Sequence, residues 1–401
     1  MDGVVVKRSR GDDGDDSKYY LSVLSPEDFS LSENYDLPFF EKYDAIEGNS
    51  CRGLLYFHEY EGKAKSVLCN LTTKELKFLP PPELEPPPNF ALFTGIGLGY
   101  DSKSRDYKVI RNFAQYYSEI DEDGRSLYRG STDKTELYSL KTGSWKEIPN
   151  PDASICQMSA VYIRGKCYWT AILGGSTWLE GVLSFDFVDE SFGSFSLPPI
   201  KEASDTIYEI VAFHGSVGAI GYPRPGASKS SKRSRVSSKS FEVWVWREMS
   251  WSKVYTVALR HIERPLGLKD GRFLFLEAKH RGQPRQLAVY DLLTNVRNKL
   301  KIYDSPRKMK VYFYAQTRDP LPDAKPLDGS HTKDEEDKEA TGAMTMTMTR
   351  TRKMKRKKKG KRTRTRTRTR TGNVEESSKE EEDDSNNETR PKKRRRLASS
   401  H

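Results

Sequence analysis

Two dense basic runs near the C-terminus carry the most concentrated chemistry in this 401-residue chain. Lysine and arginine at this density suit the acidic grooves of import receptors and the phosphates of nucleic acids. The runs therefore predict an import receptor as partner, and also a weak nucleic-acid contact whose affinity falls as salt rises. The alternative is a low-complexity extension without a role, because an Arg-Thr repeat follows the first run. The charged residues of the two runs are Lys353, Lys355, Arg356, Lys357, Lys358, Lys359, Lys361, Lys392, Lys393, Arg394, Arg395 and Arg396.

The residue types that enzymes and metal sites use are present, but not in the spacings that such sites require. The six histidines form no HxH or HExxH pattern. Gly95, Gly97 and Gly99 look like a dinucleotide loop, but they lead into a second strand rather than a helix. We therefore expect no enzyme, no cofactor and no metal. Acidic residues next to predicted turns are expected to hydrogen-bond the backbone, and these are Asp101, Asp106, Asp186 and Asp291.

The net charge of +11 belongs mostly to the tail. Residues 321–401 contribute +9 and residues 1–320 only +2, so the globular part lacks the basic face of a dedicated DNA-binding fold. No apolar run approaches the roughly 20 residues of a membrane helix, which predicts no membrane partner. The four cysteines form no CxxC pair, which fits reduced thiols in the nucleus, the cytoplasm or both.

Composition divides the chain into three parts. Residues 1–17 are polar and acidic, and they are predicted to be disordered. Residues 18–316 alternate short apolar-aromatic runs with turn residues, which predicts one folded domain. Aromatic residues vanish after that point, so residues 317–401 are predicted to form a disordered, charged, low-complexity tail.

Strand signals dominate the middle part, and no stretch has convincing helical spacing. Runs such as Leu54–Phe57, Tyr107–Arg111 and Phe273–Leu276 are short, rich in aromatic and β-branched residues, and bounded by turn residues. The fold class is therefore predicted to be all-β.

A degenerate hairpin repeat refines this prediction. Each copy is an apolar strand, a polar turn with an apolar or aromatic anchor, and a second strand, and most copies follow another turn and strand. Two hairpins in a period of about 45 residues are typical of a propeller blade. We therefore predict an irregular, kelch-like β-propeller of about five to six blades, with a β-sandwich as the alternative. The anchors, expected to fill space between neighbouring blades, are Leu76, Trp145, Phe192, Trp251 and Val296.

The same hairpins carry a family resemblance. Gly95–Asp101 followed by Ser104–Ile110 resembles the "GFGYD…DYKVV" element of plant F-box-associated interaction domains, closest to the S-locus F-box group. Later hairpins follow in the order of that family, at 136–148, 165–198, 241–255 and 287–291. The resemblance implies a protein-binding propeller that follows an F-box, a helical segment that docks a Skp-type adaptor of a ubiquitin ligase.

The F-box pattern itself is not found. Leu24–Phe29 and Leu37–Phe40 are the nearest candidates, and neither continues with helical periodicity. Residues 19–50 resemble the stretch that joins the F-box to the propeller. Two interpretations stay open: the gene model lost an exon, or the protein does not dock the ligase itself. A Skp-type adaptor is expected as a partner only if an F-box was lost.

The sequence thus predicts a non-enzymatic interaction domain that resembles the substrate-recognition part of an F-box protein and binds a client protein. Two inserted polar loops, Ser118–Thr132 and Ala227–Ser240, are candidate contact regions, and the alternative is that they are solvated loops. The rival function is a nuclear nucleic-acid-associated protein in which the basic tail binds and the propeller is a scaffold.

Overall fold

The folded part of the chain consists of β-strands. The computed structural model describes residues 2–10, 18–37, 40, 46–59, 65–81, 90–120, 126–174, 179–199, 206–224, 238–280, 283–304 and 309–327. All regular secondary structure within these ranges is β-strand. The described residues contain no helix that could cross a membrane.

The strands form six antiparallel sheets, here called blades and numbered by the order of their innermost strands. Blade 1 contains β4 (Ile46–Cys51), β5 (Leu54–Glu59), β6 (Ser66–Asn70) and β7 (Glu75–Phe78), with β26 (Lys325–Pro326) added outside β7. Blade 2 contains β8 (Phe90–Asp101), β9 (Asp106–Ile120), β10 (Ser126–Ser139) and β11 (Ser144–Ile148). Blade 3 contains β12 (Ala153–Ile155) and β13 (Val161–Ile163), which both pair with β14 (Lys166–Leu173), then β15 (Leu179–Asp186) and β16 (Ser191–Ser196).

The remaining blades follow the same pattern, except that the last one joins the two ends of the folded chain. Blade 4 contains β17 (Thr206–Phe213), β18 (Ser216–Pro223), β19 (Lys239–Arg247) and β20 (Ser250–Leu259). Blade 5 contains β21 (Ile262–Lys269), β22 (Phe273–Ala278), β23 (Arg285–Asp291) and β24 (Val296–Asp304). Blade 6 contains β25 (Lys310–Ala315), β1 (Asp2–Arg10), β2 (Lys18–Leu24) and β3 (Leu31–Asp36).

The inner strands contact one another in sequence around a ring, and β21 contacts β25, which in turn contacts β4. Side chains join some of these strands where backbones do not pair. The Asn49 amide accepts a hydrogen bond from the Leu98 backbone N–H at 2.7 Å and donates one to its carbonyl at 3.0 Å. The predicted all-β propeller is therefore confirmed, with six blades.

The hydrophobic core is divided among the spaces between blades. Six clusters of buried side chains lie in the described residues, one for each pair of neighbours. Between blades 4 and 5, for example, Val243 packs with Leu274 and Leu276. A single blade cannot bury both of its faces, so each blade depends on its two neighbours.

The N-terminus differs from its predicted disorder. Residues 2–10 of the 1–17 segment form β1, which pairs with β25 on one side and with β2 on the other. Val4, Val5 and Val6 are fully buried, and Lys7 donates a hydrogen bond to the Ile46 carbonyl. This segment is folded despite its charged residues, because its three valines are buried and because its pairing with β25 closes the ring.

The C-terminal boundary of the folded part also moves outward from residue 316. Residues 317–327 lie against blade 1, where Leu321 and Leu327 are buried and Lys325 pairs with Leu76 of β7. The Asn70 amide holds this segment by donating to the Asp319 carbonyl at 2.9 Å. The segment is ordered because it covers the outer edge of a strand that would otherwise leave its backbone groups unpaired. The rest of the predicted tail, residues 328–401, lies outside the described residues.

Candidate functional site

The two rims of the ring differ in how the strands are joined. At one rim, here called the tight-turn rim, two to four residues join the first and second strands of blades 1 to 5, as at 52–53 and 214–215. Because the strands alternate in direction, the connections from second to third strands leave at the opposite rim, here called the long-loop rim. The longer connections, in which residues can change without disturbing blade packing, therefore lie at the long-loop rim.

Both predicted insertions belong to the long-loop rim. Most of the predicted loop Ser118–Thr132 is strand instead, because residues 118–120 end β9 and residues 126–132 begin β10, and only residues 121–125 join the two strands of blade 2. Loop Ala227–Ser240 joins β18 to β19 in blade 4, and its last two residues begin β19. Residues 121–125 and 227–237 lie outside the described residues, so their contacts with a client stay a prediction. The ends of β9, β10, β18 and β19 place both insertions on the same side of the ring.

A cavity of about 450 Å³ opens at this rim between blades 3 and 4 and reaches the central channel. A smaller cavity of about 150 Å³ continues along the inner strands. Gln157, Glu209 and Lys310 line both cavities and therefore mark where the rim meets the channel. The other charged side chains of the larger cavity are Glu47, Glu180 and Arg224.

Glu47 of blade 1 and Lys310 of blade 6 form an ion pair between neighbouring inner strands. The Lys310 ammonium lies 3.1 Å from Glu47 Oε2, which also accepts a hydrogen bond of 2.6 Å from the Ser159 hydroxyl. Burial alone raises the pKa of Glu47, but Lys310 and Lys7 outweigh it and hold the pKa below its usual range. Glu47 is therefore ionised and compensated near neutral pH.

Glu209 of blade 4 has a different environment. Its carboxylate accepts hydrogen bonds from the Gln157 amide at 2.8 Å and from the Tyr222 hydroxyl at 3.4 Å, and both of these donors are neutral. Burial raises the pKa of Glu209 above its usual range, although Lys310 and Arg264 oppose the shift. Among the described residues no cation forms an ion pair with Glu209.

An exposed thiol also lies at this cavity. Cys156 is exposed at the cavity wall, whereas Cys51, Cys69 and Cys167 are buried. Burial and the nearby Glu180 raise the pKa of Cys156, so the thiol is mostly protonated near neutral pH. Cys156 is therefore a labelling position rather than an activated nucleophile.

A serine and a histidine meet elsewhere in a geometry that resembles part of a catalytic site. The Ser66 hydroxyl lies 2.8 Å from His58 Nδ1 in blade 1. His58 is fully buried, and burial followed by the Arg111 charge lowers its pKa well below the usual range. No substrate reaches a pair that is sealed in this way. The described residues also contain no group of three His, Cys, Asp or Glu side chains that could hold a metal.

The glycines and acidic residues identified in the sequence have structural roles. A Cβ at Gly99 would lie 1.9 Å from the Phe187 ring, so this strand carries glycine because blade 3 approaches its backbone. The Asp291 carboxylate accepts hydrogen bonds from the backbone N–H groups of Leu293 and Thr294. Asp101 and Asp186 hold their turns in the same way, and Asp106 accepts from the Lys141 backbone N–H at 2.9 Å.

The structure places four of the five anchors against clusters between blades. Leu76 is 1% exposed, and Trp145, Phe192 and Trp251 pack against the cluster that each blade shares with the preceding one.

The fifth anchor, Val296, is 50% exposed and belongs to no such cluster. The register of this anchor is therefore corrected by one residue, because the neighbouring Arg297 side chain bonds the Arg260 carbonyl at 2.9 Å at the end of blade 4.

The basic residues between Lys353 and Lys361 and between Lys392 and Arg396 lie outside the described residues. The residues that shape the cavity were not found from the sequence. They lie at or near the beginnings of inner strands in different blades, so no local spacing connects Glu47, Gln157, Glu209 and Lys310.

A family model described as "F-box associated beta propeller domain" matches residues 22–303. An F-box/kelch-repeat protein of Arabidopsis thaliana is 26% identical over 57% of this chain and 57% of its own length. The F-box protein CPR1 of the same organism is 24% identical over 59% of each chain. The chain thus spans less than two thirds of the length of these curated relatives. Among solved structures, TolB from Acinetobacter baumannii aligns with a TM-score of 0.45 and 13% identity, over 78% of this chain and 66% of that one.

Proposed function

Because this chain belongs to the family of F-box-associated β-propeller domains, we propose that it recognises a client protein for ubiquitylation by a cullin-based ligase. The observation that carries the proposal is the asymmetry of the ring. A charged cavity, the long β9–β10 hairpin and the long connection from β18 to β19 share one rim, whereas short turns form the other.

Rigid blades with variable loops on one side suit recognition. The inner strands hold the cavity side chains in place through backbone pairing and buried clusters between blades. Loops on such a scaffold vary without loss of the core, so one fold serves many clients. The relatives are named as F-box proteins, which supports a Skp-type adaptor as a partner of the whole protein.

The experiment compares the full chain with two loop variants in plant cells. In one variant, residues 121–125 and 227–237 are replaced by glycine and serine. In the matched control, Glu248 and Met249 of the tight-turn rim are replaced in the same way. Crosslinking mass spectrometry identifies the bound proteins. Ubiquitin-remnant profiling shows for which of them ubiquitylation depends on this protein.

We expect the loop variant to lose proteins that are both crosslinked and ubiquitylated, and the control to keep them. If both variants keep the same proteins, the long-loop rim is not the recognition surface. If the bound proteins are never ubiquitylated, the link to a ligase is wrong.

We also propose that the protein acts both in the nucleus and in the cytoplasm, and that its basic tail directs it to the nucleus.

A further inference from the structure

An unfilled hydrogen-bond acceptor lies in the wall of the rim cavity. Gln157 Oε1 is shielded from solvent and has no hydrogen-bond partner in the part of the chain that the structure describes. The orientation of the amide is fixed, because its nitrogen donates to Glu209 at 2.8 Å. Reversing the amide would place two oxygens against each other. The cavity wall therefore contains an amide oxygen that has no donor among the described residues and that a ligand reaches only when a neighbouring side chain moves.

Glu209 also has no ion-pair partner among the residues that the structure describes, and its two hydrogen-bond donors are neutral. The two nearby cations that affect its pKa are Lys310 and Arg264. Lys310 pairs with Glu47 at 3.1 Å, and Arg264 pairs with Glu277 at 2.6 Å. Both cations are thus held by other carboxylates. A carboxylate in a partly desolvated site is stabilised strongly by a charged hydrogen-bond donor.

We propose that the rim cavity receives a basic side chain of the client, either an alkylammonium or a guanidinium group. This inference rests on the proposed function and specifies the chemistry of its site. The N–H groups of the side chain donate to Glu209 and, once a neighbouring side chain moves, to Gln157 Oε1, and Glu180 at the cavity wall attracts the charge from solvent. An anionic ligand suits the cavity less well, since Lys310 is already paired with Glu47 and the three carboxylates of the lining outnumber its two cations.

The test uses two small probes with the full chain. N-acetyl-arginine methylamide carries a guanidinium, and N-acetyl-citrulline methylamide has nearly the same shape without charge. Each probe is titrated into protein labelled with ¹³C at the methionine methyl groups. Met158 lines the cavity, whereas Met249 is 83% exposed at the tight-turn rim and serves as a reference in the same spectrum.

We expect the arginine probe to shift the Met158 signal saturably and the Met249 signal not at all. The citrulline probe should bind about tenfold more weakly, since it cannot form charge-assisted hydrogen bonds. Glu209→Gln should weaken the arginine probe by a similar factor. Glu248→Gln, which removes a carboxylate from the opposite rim of the same blade, should leave the titration unchanged.

Equal binding of the two probes to the wild-type protein would overturn the inference without any need for a variant. Unchanged arginine binding in Glu209→Gln would also overturn it. If the probe fails to bind while the loop variant still loses its clients, the inference is wrong and the proposed function stands. If the probe binds but no client depends on the long-loop rim, the proposed function is wrong instead.

Discussion

The indole Nε1 of Trp251 in blade 4 donates a hydrogen bond of 2.7 Å to the carbonyl of Ser196 in blade 3. Trp145 of blade 2 donates in the same way to Pro80 at 2.8 Å, and Arg297 of blade 5 donates to Arg260 at 2.9 Å. Each donor is the second residue of an outer strand, and each acceptor lies at or just beyond the end of the preceding outer strand. The outer edges of the blades are thus joined by a repeated polar contact.

Replacing Trp251 by phenylalanine should lower the free energy of unfolding more than the same replacement at Trp246. Both rings pack in the cluster between blades 3 and 4, and Trp246 stacks on Phe195 at 4.5 Å. Only Trp251 donates its N–H across the blades, which is worth about 1 kcal/mol. Urea unfolding at pH 7.5 measures the difference. Equal losses would show that packing alone accounts for the anchor.

The ring could be predicted from the sequence because its evidence is local. Hairpins recur with an anchor after each turn, and each hairpin shows its own alternation of apolar and polar residues. The anchor of blade 5 was assigned one residue early, because Val296 looks apolar whereas Arg297 uses a charged side chain for the same contact. In a strand, a shift of one residue changes the face of the sheet.

Contacts between distant residues could not be predicted in this way. Val4–Val6 are surrounded by polar and charged residues, and their partner β25 lies about 300 residues away in sequence, so composition indicated disorder. The cavity has the same limitation. Glu47, Glu209 and Lys310 come together only because separate inner strands begin at the same rim.

Replacing Val5 by alanine should destabilise the protein by about 2 kcal/mol, because it removes two methyl groups from a fully buried position. Val296→Ala is the matched control. Its side chain is 50% exposed, so the loss should stay below about 0.5 kcal/mol. Thermal and urea unfolding of both variants measure this contrast. A small loss at Val5 would mean that β1 contributes little to ring closure.

Deleting residues 350–396 should abolish nuclear accumulation of a fluorescent fusion, since import receptors read dense basic runs. The fusion must exceed the size that diffuses through the nuclear pore. Replacing only Lys392–Arg396 by glutamine tests the second run separately. Unchanged nuclear fluorescence after the full deletion would refute import by the tail.

A gel-shift titration of the isolated tail across salt concentrations tests the rival nucleic-acid function.

His58 should make the free energy of unfolding depend on pH below neutrality. Its pKa in the folded protein lies well below 6.5, whereas in the unfolded chain it takes the ordinary value. As the pH falls below about 6.5, the unfolded chain binds a proton that the folded protein does not, so stability falls by up to about 1.4 kcal/mol per pH unit. Above that pH the contribution is constant.

Urea unfolding of the wild type and His58→Gln between pH 7.5 and 5.5 isolates this component. The variant is expected to be less stable at pH 7.5, because Ser66 loses one of its two side-chain hydrogen bonds and keeps the one to Tyr56, but its stability should fall less steeply with acid. Ser66→Ala is the control, since it removes the hydrogen bond and keeps the buried ring, and therefore the pH dependence. Parallel curves for the wild type and His58→Gln would show that His58 accepts a proton in the folded state. The burial of the imidazole argues against that result, because protonation would place a second positive charge near Arg111.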